Sequence, residues 1–352
     1  MKNFKNFRLL RFSFIAFISI IAFSSCTNDE DTAVSTELKI TSVSKALNSS
    51  IPSNPVDNDS ITSIGFPNNT YIIRGSGFSF AKKIYFNDLE SYLNPALITD
   101  NVMFVTINQD TPYADVSNEI KLVSETGSVS YPFVIGPPAP QITRGFNPVN
   151  ANEGDEITIY GNFFLDPVVT FGNISAEVVS NTITEIVAKV PIGGDKKYIT
   201  VKTISGLVTT TYAVGTALYD DVWYGGFGPA DWNNHTYETD NTAAQGNVYF
   251  KKTMGGWDNI QGEWSWDDQI SAYSGIRMSL KGDAGSKLKL VFNGNWSDDT
   301  APIIILTGEW EEYYFSWADL GNADYVQNIS FQEFTGNGGV YYFDNFGFFL
   351  NE

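Results

Sequence analysis

Glu156-Ile157-Thr158-Ile159-Tyr160-Gly161-Asn162-Phe163-Phe164 is the stretch from which the fold can be read. A strand of β-branched residues runs into a glycine turn and a phenylalanine suited to burial, and Val168-Val169-Thr170-Phe171-Gly172 supplies a second short strand. An imperfect copy stands upstream. Thr70-Tyr71-Ile72-Ile73-Arg74-Gly75-Ser76-Gly77-Phe78 is followed by Ile84-Tyr85-Phe86-Asn87, in the same order of strand, glycine, phenylalanine and strand. Further on, Ile120-Lys121-Leu122-Val123 with Gly127 and Ile199-Thr200-Val201-Lys202 with Gly206 give matching hairpin signals. The repeat defines two β modules, residues 37–135 and 140–215, joined by the stiff linker Gly136-Pro137-Pro138-Ala139-Pro140. The first carries an insertion around Ser49 to Ile64.

Residues 216–352 are β again by periodicity. Ile276, Met278 and Leu280 alternate with Arg277, Ser279 and Lys281, and Leu288, Leu290 and Phe292 with Lys287, Lys289 and Val291. Further strands are expected at Ile303 to Leu306, Tyr313 to Phe315, Ile329 to Phe331 and Val340 to Phe349. With glycine and aspartate turns between them, these segments suffice for two packed antiparallel sheets, a β-jelly roll. The chain is therefore read as all-β.

The repeated modules resemble the IPT/TIG immunoglobulin-like fold, the second more closely, including Pro191 after the strand Glu185 to Val190. Neither module holds an aromatic cluster or a titratable constellation, so both read as spacers. At the amino terminus, Lys2, Lys5, Arg8 and Arg11 precede an apolar run from Phe12 to Phe23, too short to span a bilayer and suited to a signal peptide over 1–25. The run ends in Phe23-Ser24-Ser25-Cys26, which resembles a bacterial lipobox and implies diacylation of Cys26, the chain's one cysteine. Residues 26–36 then form a polar tether. Its acidic Thr27-Asn28-Asp29-Glu30-Asp31 is similar to the signal that sends lipoproteins to the outer face of the outer membrane in glycan-foraging Gram-negative bacteria.

Charge narrows the ligand. Removing 1–25 leaves 17 basic residues against 40 acidic ones, a net charge of −23. Nucleic acid is excluded, because its recognition rests on neutralising phosphates with Lys and Arg, and an acidic polysaccharide or anionic lipid surface is disfavoured for the same reason. All eight tryptophans fall after residue 216. Indole faces pack on sugar C–H groups while neighbouring polar side chains bond hydroxyls, so a neutral glycan is the expected ligand. Trp310 and Trp317 stand among strand-like or apolar neighbours and read as core. Trp257, Trp264 and Trp266 lie in a stretch too polar and glycine-rich to bury three indoles, and the spacing of Trp264 and Trp266 puts both on one face of an extended backbone. Trp296, in Asn293-Gly294-Asn295-Trp296-Ser297-Asp298, has similar surroundings, and Trp232 is a further member of the expected platform. Asp258, Asn259, Gln261, Glu263 and Asn295 are the candidate hydroxyl partners.

Leu218-Tyr219-Asp220-Asp221, Gly246-Asn247-Val248-Tyr249-Phe250 with Gly256-Trp257, Gly308-Glu309-Trp310-Glu311-Glu312-Tyr313 and Tyr342-Phe343-Asp344-Asn345-Phe346 resemble the scaffold of jelly-roll carbohydrate-binding modules. In order along the chain, the parts resemble the surface glycan-binding proteins of polysaccharide-utilisation loci. That resemblance implies a lipid-anchored outer-membrane protein that holds polysaccharide beside a TonB-dependent transporter and its glycan-binding lipoprotein partner, and the aromatic platform points to a β-glucan such as laminarin as that polysaccharide. It also implies a structural calcium ion, with Asp344 and Asp220 or Asp221 as carboxylate ligands. Catalysis is not expected: Glu263, Asp267, Glu309 and Glu333 are nominal glycosidase carboxylates, but no ordered motif joins two of them, and His235 stands alone. The other class of reading is an adhesion or scaffold protein that docks a protein partner on the same aromatic surface.

Overall fold

The computed structural model describes residues 37–46, 59–125, 127–225, 228–262 and 270–350. The signal peptide, Cys26 and the tether lie outside them. Every regular element among the described residues is a strand or a single 3-10 turn. The chain forms two compact units, changing over at Ile135 to Gly136.

The first unit holds β1 (Lys39–Lys45), β2 (Ile64–Gly65), β3 (Thr70–Ser76), β4 (Ala81–Phe86), β5 (Leu89–Ser91), β6 (Val102–Thr106), β7 (Glu119–Ser124), β8 (Gly127–Pro132) and β9 (Val134–Ile135). Its sheets run β1-β3-β6 and β5-β4-β7-β8, with β2 and β9 paired in parallel. The second unit opens with β10 (Gln141–Asn147), β11 (Glu156–Asn162), β12 (Val168–Phe171), β13 (Ile174–Ser175), β14 (Val178–Asn181), β15 (Glu185–Lys189), β16 (Tyr198–Thr203) and β17 (Gly206–Ala213). Here the orders are β10-β11-β15-β14 and β13-β12-β16-β17. Strand for strand this is the first module's plan, with β14 extending one sheet and the β2–β9 pair confined to the first module.

The repeated glycine does different work from the turn expected of it. Gly75 lies within β3 and Gly161 within β11. A Cβ at Gly75 would stand 1.8 Å from the Lys39 carbonyl and 2.6 Å from the Phe78 ring, and one at Gly161 would stand 1.9 Å from the Gln141 carbonyl and 2.4 Å from the Phe164 ring. Each is a close approach between neighbouring strands with a fully buried phenylalanine pressed over it. The turn comes two residues later, at Gly77 (φ 75°) and Phe163 (φ 63°).

The carboxy-terminal domain is built from β18 (Thr236–Thr239), β19 (Val248–Met254), β20 (Asn259–Gln261), β21 (Tyr273–Lys281), β22 (Lys287–Phe292), β23 (Ile303–Ile305), β24 (Glu311–Ser316), β25 (Ile329–Glu333) and β26 (Gly339–Leu350). A five-stranded sheet, β18-β19-β26-β21-β24, packs on a four-stranded one, β20-β25-β22-β23. The core between them takes Ile276, Met278 and Leu280 from one sheet and Leu288, Leu290 and Phe331 from the other, as the period-2 alternation requires.

The opposite face of β21 is not wet, however. Arg277 is fully buried, because the second immunoglobulin-like module covers it: the Tyr212 ring lies 4.1 Å from the guanidinium carbon, and Nη1 donates to the Asn345 carbonyl at 2.8 Å. Around it, Arg144 donates to the Gly246 carbonyl and Asn247 Oδ1, both at 2.9 Å, and Gln245 Nε2 donates to the Phe146 carbonyl at 2.8 Å. This module and the jelly-roll domain thus share a buried polar junction within the second unit.

Candidate functional site

The outer face of the four-stranded sheet carries the site. Register lines up its outward residues in rows across the strands: Asn259, Gln332, Lys289 and Ile303 form one, and Phe334, Lys287 and Ile305 stand one pair further along. Three inter-strand steps from β20 to β23 make this face about 14 Å wide. Ile303 and Ile305 are exposed on the far strand, 38% and 58%.

Trp257 stands at one edge of this face, 55% exposed, with its ring 5.4 Å from Phe334 at an interplanar angle of 85°. Its backbone is left-handed (φ 64°), an uncommon conformation for a bulky residue. Glu333 holds it there. That buried carboxylate accepts from the N–H groups of Trp257 (2.9 Å), Gly336 (2.9 Å) and Thr335 (2.7 Å), and from the Thr335 hydroxyl. Burial pushes the Glu333 carboxyl up, but these donors outweigh it and keep the group below its ordinary value. A Cβ at Gly256 would stand 2.3 Å from the Gly336 carbonyl and one at Gly338 would stand 2.6 Å from the Met254 carbonyl, so the two backbones run close together, and the indole lies over Gly336.

Trp296, 40% exposed, comes from the loop after β22, which folds back over the sheet. Lys289 makes the connection. Its side chain is 4% exposed, and Nζ donates to the Trp296 carbonyl at 3.1 Å and to Asp298 Oδ1 at 2.7 Å, with the Phe334 ring 4.9 Å away and the Trp296 ring 6.0 Å away. Trp257, Phe334, Lys289 and Trp296 therefore form one connected band.

Trp232 is 56% exposed on a 3-10 turn at Asp231–Asn233, docked on the edge of β20. Asn233 accepts from the Gln261 N–H at 2.9 Å and donates to the Gln261 carbonyl at 2.8 Å. Gln261 Nε2 in turn donates to Asn259 Oδ1 at 2.7 Å. Of the other expected hydroxyl partners, Asp258 pairs with Lys252 (3.3 Å), and Asn295 bonds Ser297 and Thr300 within its own loop. Glu263, Trp264 and Trp266 lie outside the described residues.

Sequence reasoning missed Phe334, Lys289 and Gln332. The alternation of β22 already placed Lys289 on the outer face, and that signal was available; Phe334 and Gln332 needed the register of β25.

The carboxylates expected to bind calcium accept hydrogen bonds from backbone amides. Asp344 Oδ2 accepts from the N–H groups of Ala244 (2.8 Å) and Gln245 (2.9 Å), Asp221 from those of Asn247 (2.9 Å) and Val248 (2.7 Å), and Asp220 from those of Val149 and Asn150. They cap backbone amides at the junction with the preceding module. Among the described residues no three acidic, histidine or cysteine side chains group as a metal site. Of the nominal catalytic carboxylates, Glu333 is a buried anchor, Glu309 is exposed, and Glu263 and Asp267 lie outside the described residues.

Residues 140–219 match the IPT/TIG domain family. An IPT/TIG domain-containing protein of Bacteroides ovatus is 24% identical over 155 residues, 42% of this chain; the match spans 29% of that relative's length. Among solved structures, the surface glycan-binding protein PbSGBP-B from Prevotella bryantii is similar over 89% of this chain and 99% of its own, at 15% identity and a TM-score of 0.46. SGBP-B from a complex xyloglucan utilization locus in Bacteroides uniformis is similar over 89% of this chain and 99% of its own, at 16% identity and a TM-score of 0.34.

Proposed function

We propose that the protein is a non-catalytic binder of a neutral polysaccharide, with the sugar chain lying across the outer face of β20-β25-β22-β23. The observation that carries this reading is the exposure of Trp257 and Trp296 on one face, connected through Phe334 and Lys289. Indoles with open faces, flanked by the amides of Asn259, Gln261 and Gln332, offer apolar support and hydroxyl partners together. The ammonium among them is neutralised by Asp298, which suits an uncharged ligand. A β-glucan, laminarin included, is the ligand class we favour, with Trp232, Trp264 and Trp266 extending the platform. In this reading Cys26 anchors the chain to the outer face of the outer membrane, beside a TonB-dependent transporter and its glycan-binding lipoprotein.

Calorimetry against laminarin, xyloglucan, mixed-linkage glucan and an anionic control polysaccharide tests it. We expect binding to at least one neutral β-glucan, none to the anionic control, no release of reducing sugar, and affinity losses of about thirtyfold or more in Trp257→Ala and Trp296→Ala. Absence of binding to every neutral glycan, or full affinity in both variants, would overturn the reading; capture of a protein partner would then point to adhesion.

A further inference from the structure

Two of the exposed tryptophans, Trp257 and Trp296, are held by buried charges of opposite sign. Lys289 pairs with Gln332 and Leu288 pairs with Glu333, so strand alternation sends the ammonium to the outer face and the carboxylate towards the core side of the neighbouring strand. Each then reaches a loop that carries an indole. Glu333 gathers the N–H groups of Trp257, Thr335 and Gly336, tying the loop before β20 to the loop after β25. Lys289 gathers the Trp296 carbonyl and Asp298, tying the loop after β22 down onto the sheet. An ammonium on a side chain only 4% exposed is costly to desolvate, and an apolar side chain would fill the same space without that cost. What an apolar side chain cannot do is bond a loop carbonyl. The left-handed backbone of Trp257 likewise persists only while its surroundings over-determine it.

We propose that Lys289 and Glu333 are positioning residues that set Trp296 and Trp257 in their binding geometry before the ligand arrives. This rests on the glycan-binding reading of the same face and adds how its affinity is obtained: loops ordered in advance lose less freedom on binding.

The test uses the full chain labelled with 5-fluorotryptophan, its Trp257 and Trp296 fluorine resonances assigned from Trp→Phe variants. Without ligand, Lys289→Met should shift or broaden the Trp296 resonance and leave that of Trp257 in place, and Glu333→Gln should do the reverse. Each should weaken binding of the best neutral glucan about tenfold. In a Trp296→Ala background, Lys289→Met should cost nothing further, since its effect runs through that loop. Should Lys289→Met fail to fold, Asp298→Ala removes the exposed end of the same tie, Asp298 being 70% exposed, and should move the Trp296 resonance in the same way. Unmoved resonances in folded variants would overturn the inference, as would losses that add fully to Trp296→Ala, which would mean that the ammonium touches the sugar itself. Resonances that respond as stated in a protein that binds no glycan would uphold the positioning roles and remove the glycan reading.

Discussion

Asp220 shows how a residue's surroundings redirect its chemistry. Burial pushes its carboxyl up to about 6, against the opposing pull of the Val149 and Asn150 N–H groups. A folded value above the unfolded one means that the folded state disfavours the charge, so the stabilisation is complete below the unfolded pKa and is lost as pH rises through about 6. Asp344 and Asp221, also raised by burial, act in the same direction. Glu333, held below its ordinary value, acts oppositely, but only at lower pH, where it gains its proton. Urea unfolding of residues 136–352 should therefore show stability falling between about pH 4 and pH 7, with Asp220 contributing about 2–3 kcal/mol of the fall. Asp220→Asn should flatten the slope by that amount, and a slope unchanged by it would show that the carboxyl is ionised in the folded state throughout. At this scale the sequence was partly legible. Trp257, Trp296 and Trp232 are exposed as their polar, glycine-rich neighbours implied, whereas the amide contacts of Asp220, Asp221 and Asp344 were not legible, because their partners come from distant stretches of the chain.

Elements were the most legible level. The strands expected around Met278, Leu290, Tyr314 and Ser330 form as β21, β22, β24 and β25, since a period of two with one face towards a core leaves little freedom in register. The module repeat is carried into topology, β1-β3-β6 against β10-β11-β15. Two things escaped. The strand glycines Gly75 and Gly161 looked like turn residues because the close approach that demands them is to Lys39 and Gln141, more than 15 residues away in the chain. The burial of Arg277 escaped because a neighbouring module, not its own sheet, covers it. The glycine reading has a direct consequence: Gly161→Ala places a methyl 1.9 Å from the Gln141 carbonyl, which forces β10 and β11 apart at that pair. Chemical denaturation should register a loss of about 3 kcal/mol, in the range of severe backbone and overpacking defects. A loss under about 0.5 kcal/mol, typical of surface changes, would mean that the strands part there without cost.

On the scale of the whole second unit, the junction between its module and its jelly roll decides cooperativity. A spacer on a loose linker would present a dry, self-sufficient surface, yet here the jelly-roll domain leaves Arg277, Asp221 and Asp220 without their full surroundings unless the module is in place. Asn150 exchanges two hydrogen bonds with Ala217, both 2.9 Å, and Asn147 donates to Asp221 at 2.7 Å, so hydrogen bonds cross the junction in both directions. Separating the two would exchange these bonds for bonds to water, at a net cost of about 0.5–1.5 kcal/mol each. Residues 136–352 should therefore unfold in one calorimetric transition, with the calorimetric and van't Hoff enthalpies equal. Tyr212→Ala, which removes the ring from the Arg277 guanidinium, should lower that single midpoint rather than split off a transition for the module alone. Two resolved transitions in the unaltered 136–352 chain would show that the module and the jelly-roll domain are tied too weakly to hold one orientation. A single transition means that the platform bearing Trp257 and Trp296 is presented at an angle fixed by the module beneath it.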